Sequence, residues 1–188
     1  MTLSTYEPPA LEIWLTRTLG STILRPYYRG FVRGLSLRGD ERVLDYGSGS
    51  GVLSRHIAAR LQGSGGHLDC VDISHGWMAV IRKTLRRYDN VGYHLGHITR
   101  LDLPDAAYDV VVIHFVLHEV PANERPAVVE ALARKLRPGG RLVLREPQGE
   151  GLTSDKMRRL ASAAGLDVRT LEARKLAFGA VYDASFTH

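Results

Sequence analysis

The densest chemistry in the chain lies in nine consecutive residues, Val43-Leu44-Asp45-Tyr46-Gly47-Ser48-Gly49-Ser50-Gly51. Alternating glycines let a chain turn through backbone angles that other residues adopt only at a cost, and they leave bare backbone for a ligand to approach. A helix starting straight after such a turn offers free amides and a partial positive charge, which suits a carboxylate. Asp45 adds a negative charge beside that anion site, so a ligand with both an ammonium and a carboxylate matches the arrangement. A second carboxylate, Asp72, follows about twenty residues beyond the loop. Two histidines, His114 and His118, are candidate general bases, because imidazole titrates near neutral pH. No metal is expected: His97, His114 and His118 have no carboxylate cluster with them, and the single cysteine, Cys70, excludes a cysteine-built zinc site.

Periodicity supplies the elements that must position these groups. Glu41 to Tyr46 reads as a strand leading into the glycine turn, and Leu53, Ile57 and Leu61 then mark one face of a helix. His67 to Asp72 is a second strand. Ser74 is placed to cap a helix bearing Met78, Ile81, Leu85 and Tyr88 at helical spacing. Val91 to Leu95 is a third strand. Asp109 to His114, with its Val-Val-Val-Ile run, reads as a strand buried on both faces. A helix is expected from Asn123 to Arg137, stopped by Pro138-Gly139-Gly140, and then a fifth strand from Arg141 to Glu146. Another helix runs from Ser154 to Ala164. Two β-like runs, Asp167 to Arg174 and Phe178 to Phe186, are joined too tightly for a helical crossover and should pair antiparallel.

Strands alternating with helices imply an α/β fold: a doubly wound, mostly parallel seven-stranded sheet with an antiparallel terminal strand and helices on both faces. Its switch point falls at the carboxyl end of the first strand, where the glycine turn lies. Two amphipathic helices are expected ahead of the sheet. One runs over Ala10 to Leu19; the other starts near Pro26 and carries Tyr27, Tyr28, Phe31 and Leu35. These divide the chain into a helical cap over residues 1–40 and one compact domain over 41–188.

A chain of 188 residues suits one domain that buries about two-thirds of its unfolded surface. Its composition, 44% apolar and 24% charged, is that of a globular protein. The start has no signal-peptide pattern, and the most apolar stretch, Val110 to Val120, is too short to span a bilayer. A cytoplasmic location and no membrane partner are expected. The formal charge is +5, but its basic residues, among them Arg82, Lys83, Arg86 and Arg87, read as solvated helix faces. Nucleic acid is therefore not the expected partner.

The glycine turn also carries a resemblance. Asp45, Gly47, Gly49 and Gly51 match the acid-x-Gly-x-Gly-x-Gly first motif of the class I, Rossmann-like S-adenosylmethionine-dependent methyltransferases. A nucleotide dehydrogenase would want its third glycine at position 52, which is Val52. Val71-Asp72-Ile73-Ser74 with Met78 is similar to the family's second motif. Gly96-His97-Ile98, Leu103-Pro104 and Tyr108-Asp109 are similar to a third segment. Leu117-His118-Glu119-Val120 and Leu136-Arg137-Pro138-Gly139-Gly140-Arg141-Leu142 resemble the segments around strands four and five. The likeness covers about residues 41 to 147.

This resemblance implies S-adenosyl-L-methionine as cofactor, with Asp72 on the ribose hydroxyls, Ile73 against the adenine, and His114 lining the methionine end. Met78 fits both an adenine contact and a core stripe. His97 stands where the family often has an acidic or amide residue reaching the adenine amino group; a neutral histidine can accept that bond, and the amide of Ile98 can serve beside it.

A base C5-methylase would need a catalytic cysteine, a base amino-methylase an Asn/Asp-Pro-Pro-Tyr/Phe stretch where His114-Phe115-Val116-Leu117 stands, and a magnesium-dependent catechol enzyme an aspartate there. A small-molecule acceptor is thus expected, methylated in line. Tyr27 and Tyr28 either close over that acceptor or pack against the sheet. Two other readings stay open, a cofactor-binding partner subunit without catalysis and an RNA or protein methyltransferase, as does self-association into a homo-oligomer.

Overall fold

In the computed structural model, which describes Pro9, residues 24–149 and residues 151–188, strands and helices alternate as the periodicity requires. The helix expected over Ala10–Leu19 lies outside the described residues. The elements are α1 (Arg25–Gly34), β1 (Arg42–Tyr46), α2 (Val52–Leu61), β2 (His67–Asp72), α3 (His75–Thr84), β3 (Val91–Leu95), β4 (Tyr108–His114), α4 (Arg125–Lys135), β5 (Leu136–Pro147), α5 (Ser154–Ala163), β6 (Asp167–Leu176) and β7 (Gly179–Thr187). The seven strands form one sheet in the order β3-β2-β1-β4-β5-β7-β6. β1, β2 and β3 are parallel, β4 and β5 are parallel, and β7 lies antiparallel between β5 and β6. The mostly parallel α/β class holds, with the chain-terminal strand as the antiparallel one. By packing, the described residues fall into two units, one ending at His97 and one starting at Ile98.

In the first unit, α2 packs on β2 and α1, and α3 packs on β3 and β2. The stripe Leu53, Ile57 and Leu61 is buried together with Val43, Leu44, Leu68, Val71 and Ile81. Each such side chain contributes roughly 1.5–3 kcal/mol by leaving water. Cys70 is a buried free thiol in the same core, and burial raises its pKa well above the usual value. Pro26 sits in the first turn of α1, where its missing amide costs nothing. Phe31, Val32 and Leu35 of the following turns are buried, while Tyr27 and Tyr28 are half-buried with their rings edge to face at 5.2 Å.

In the second unit, Val110 to Ile113 is buried throughout, as its composition requires. Thr153 caps α5 by accepting from the Lys156 amide at 3.2 Å. The Pro138-Gly139-Gly140 segment departs from expectation. Helix α4 ends at Lys135, before that segment, and β5 begins at Leu136. Leu136 pairs with Tyr108 and Arg141 with Val110, so five steps along β5 match two along β4. The segment is thus a bulge inside a strand. Gly139 turns through φ +76°, and a Cβ on Gly140 would lie 2.8 Å from the Tyr108 carbonyl oxygen. The signal for irregular backbone is right; it interrupts a ladder instead of ending a helix. β6 at the sheet edge is mostly exposed and carries Arg169, Glu172, Arg174 and Lys175, charges that discourage pairing with another strand. Among the described residues, no helix is long and apolar enough to cross a membrane.

Candidate functional site

The first unit holds the glycine turn. The amides of Gly47 and Ser48 both donate to the Val71 carbonyl, at 2.9 and 3.0 Å, tying the end of β1 to β2. Gly47, Gly49 and Gly51 have φ of 72°, 50° and 74°, the left-handed region where side chains are strained. Gly51 meets a second constraint, because a Cβ there would lie 2.5 Å from Ile81 Cγ1. Over Gly49 the space is open, a Cβ meeting only the Gly47 carbonyl oxygen at 3.9 Å. The amino end of α2, which follows Gly51, has no acidic residue in its first turn to neutralise its dipole.

Asp72 closes β2 and is buried, at 7% exposure. One carboxylate oxygen accepts from the Gly49 amide at 2.8 Å and the other from the Ser74 amide at 2.9 Å. The residue therefore braces the loop from the end of β2. Ser74 caps α3, accepting from the Trp77 amide at 3.1 Å. Ile73 beside it is half-buried, while Met78 lies in the core. His97, half-buried after β3, ends the unit.

Asp45 is 2% exposed and accepts a 2.6 Å hydrogen bond from Ser54 Oγ, a partner that the sequence reading missed. Burial pushes its pKa up to about 6, helped by the Asp72 charge and opposed by Ser54. Because the folded value lies above the unfolded one of 3.8, its stability contribution is complete below pH 3.8 and is lost as pH rises through about 6. At pH 8 the ionised group costs the fold about 3 kcal/mol. Asp45→Asn should therefore raise the melting temperature at pH 8 and leave it nearly unchanged at pH 4. Thermal melts across that range check this.

The second unit holds the other two candidate histidines, His114 and His118. Glu146, at the end of β5, is 0% exposed, and its carboxylate accepts four hydrogen bonds. They come from the amides of Val116 (2.9 Å), Leu117 (2.7 Å) and His118 (3.3 Å), and from His118 Nδ1 (2.7 Å). This fixes the His118 ring with its Nδ1 proton toward Glu146 and Nε2 on the far side, 3.9 Å from Glu119. Arg125 holds the same turn from the other end, donating to the carbonyls of His118 and Val120, both at 2.8 Å. Between β4 and this turn, Phe115 adopts φ +58°, an uncommon angle for a bulky residue. Its ring stands 4.6 Å from that of His114 and 6.4 Å from that of Phe178.

His114 differs in kind from His118. Burial, with the nearby Arg145 cation, pushes its pKa down to about 3, so its imidazole is neutral across the physiological range. Arg145 is itself held by Asp183 through a bidentate pair at 2.5 and 2.6 Å. Ile98, at the start of this unit, is buried. Among the described residues, no three His, Cys, Asp or Glu side chains are grouped to hold a metal. Glu146 was not singled out from the sequence, where a lone acid at a strand end looks like any solvated terminus.

Residues 43–140 match the family model described as Methyltransferase domain. The chain is similar to the ubiquinone/menaquinone biosynthesis C-methyltransferase UbiE of Pectobacterium carotovorum subsp. carotovorum, with 32% identity over 127 residues, 66% of this chain and 49% of that protein. The chain thus spans about half the length of that curated relative. It superposes on a TehB-like SAM-dependent methyltransferase from Corynebacterium glutamicum with a TM-score of 0.74 and 16% identity, over 95% of each chain. A SAM-dependent methyltransferase from Aquifex aeolicus gives a TM-score of 0.73 and 17% identity, over 91% of this chain and 92% of that one. At such identities the likeness establishes the fold.

Proposed function

The chain belongs to the methyltransferase-domain family, and from that premise we propose that it transfers a methyl group from S-adenosylmethionine to a small organic acceptor. The observation that carries this reading is the loop: three left-handed glycines at the amino end of α2, with open space over Gly49 and its amide pinned by Asp72. The donor set fits the cofactor. Asp72, a carboxylate at the end of β2 beside the loop, suits the ribose hydroxyls, the α2 amides suit the carboxylate, and buried Asp45 gains a partner in the ammonium. Ile73, His97 and Ile98 take the adenine, and His114 lines the methionine end. When bound, the cofactor supplies a methyl group already activated on a sulfonium, so the chain's task is mainly orientation, worth roughly 7–11 kcal/mol.

The acceptor is deprotonated at His118 Nε2, whose ring Glu146 orients; His114, with a pKa near 3, is too weak a base for that step. Tyr27 and Tyr28 cap the acceptor. The relative's name, a C-methyltransferase of ubiquinone/menaquinone biosynthesis, sets the class to try first; a quinol-type ring is the matching acceptor, whose loss of a proton readies an oxygen or ring carbon for the methyl group. The reading carries a cytoplasmic location and a diffusible acceptor, not nucleic acid, for a monomer or homo-oligomer.

Calorimetric titration with S-adenosylmethionine, followed by transfer assays on hydroxylated aromatics, tests it. His118→Ala should lower kcat by about 10²–10⁴ with cofactor affinity kept, His114→Ala should lower it far less, and Tyr27→Ala with Tyr28→Ala should raise KM. Cofactor binding with no transfer to any acceptor would favour a non-catalytic partner subunit instead.

A further inference from the structure

Arg25, Arg29 and Arg33 recur every four residues on α1, a helix with no acidic residue. α2 has none either, and it carries Arg55, His56 and Arg60. In the first unit, Arg29, Arg33, His56 and Arg60 line one groove of about 550 Å³, with Val32 and Leu37 as apolar wall. That volume is in the range of small-ligand sites. Among the described residues, none of these five guanidiniums makes an ion pair or hydrogen bond, whereas Arg38, Arg42, Arg134, Arg145 and Arg174 each have an acidic partner.

His56 gives a second, independent sign. Its Nε2 is buried and has no hydrogen-bond partner, an arrangement that native structures rarely leave uncompensated. Desolvation, together with Arg55, Arg29 and Arg25, holds its pKa below the ordinary imidazole value. The helix dipole accounts for Arg33 and Arg60, which stand in last turns, but not for Arg25, Arg29 or the orphaned His56 nitrogen.

We propose that this groove binds a small phosphate-bearing ligand, a phosphomonoester or diphosphate, through Arg29, Arg33 and Arg60, with His56 donating to a phosphate oxygen. Planar guanidiniums grip phosphate oxygens in pairs, and several of them around one apolar wall give an oxyanion both charge and geometry. His56 and Arg60 stand about 6 and 12 Å along α2 from Val52, and none of the groove's lining residues belongs to the glycine turn.

The test uses the full chain and inorganic pyrophosphate, followed by calorimetry and by NMR titration of the His56 ring. The expected result is saturable binding at one site with a rise in the His56 pKa. Both should weaken at least tenfold in the Arg29→Gln, Arg33→Gln, Arg60→Gln variant, with melting temperature and S-adenosylmethionine affinity unchanged. All three arginines are exposed; should the triple variant fold poorly, Arg29→Gln alone should still weaken binding. Parallel arms use phosphatidylcholine vesicles with and without phosphatidylglycerol, and an RNA oligonucleotide. Absence of pyrophosphate binding, whether or not vesicles or RNA bind, overturns the proposal. So does pyrophosphate binding that the exchanges leave intact.

Discussion

Asp72→Ala is expected to weaken S-adenosylmethionine binding by about two to four orders of magnitude. Two charged hydrogen bonds to the ribose, at roughly 1.5–3 kcal/mol each, sum to that range. The same carboxylate also holds the Gly49 and Ser74 amides, so its removal frees the loop to leave its binding shape. Leaving those amides unpaired adds a stability loss of about 1–3 kcal/mol each where they stay dry. Calorimetry at pH 7.5, beside a thermal melt of the same sample, separates the two effects. Native affinity in a folded Asp72→Ala protein would remove this carboxylate from the cofactor site altogether.

The largest stability effect is expected at Glu146. Its carboxylate satisfies three amides and one imidazole nitrogen without any exposure to water. Alanine there strands the Val116 and Leu117 amides and the His118 ring together, a loss of about 3–5 kcal/mol by analogy with other broken buried networks. For a chain of this length, that lowers the melting temperature by about 10 °C. Glu146→Gln, which keeps one acceptor oxygen, should fall between. If Glu146→Ala melts with the native protein, the carboxylate is not what shapes the turn after β4.

These two residues mark how far the sequence can be read. Asp72 was legible by position, through the family resemblance: the end of a β-run, about twenty residues after a glycine turn. Glu146 was not, since its partners lie 28 to 30 residues away and only the pairing of β4 with β5 brings them together. Asp45 was legible as a charge beside the loop; its raised pKa depends on burial and on Ser54, nine positions on. His114 and His118 looked alike as letters, and their surroundings divide them, one desolvated beside Arg145 and the other seated on a carboxylate. Element types followed from periodicity. The boundary at Pro138-Gly139-Gly140 did not, because the same three residues can stop a helix or bulge a strand, and the register with Tyr108 decides between them.

The 2.5 Å separation between Ile81 Cγ1 and the place where a Gly51 side chain would begin adds a steric bar to the one that the left-handed φ already sets at position 51. A drift at 51 toward even alanine is barred while isoleucine occupies 81, and trimming 81 first opens a void under the amino end of α2. Because the left-handed φ of 74° strains any side chain at 51 whatever stands at 81, glycine is the fixed member of this pair, and descent should vary 81 alone.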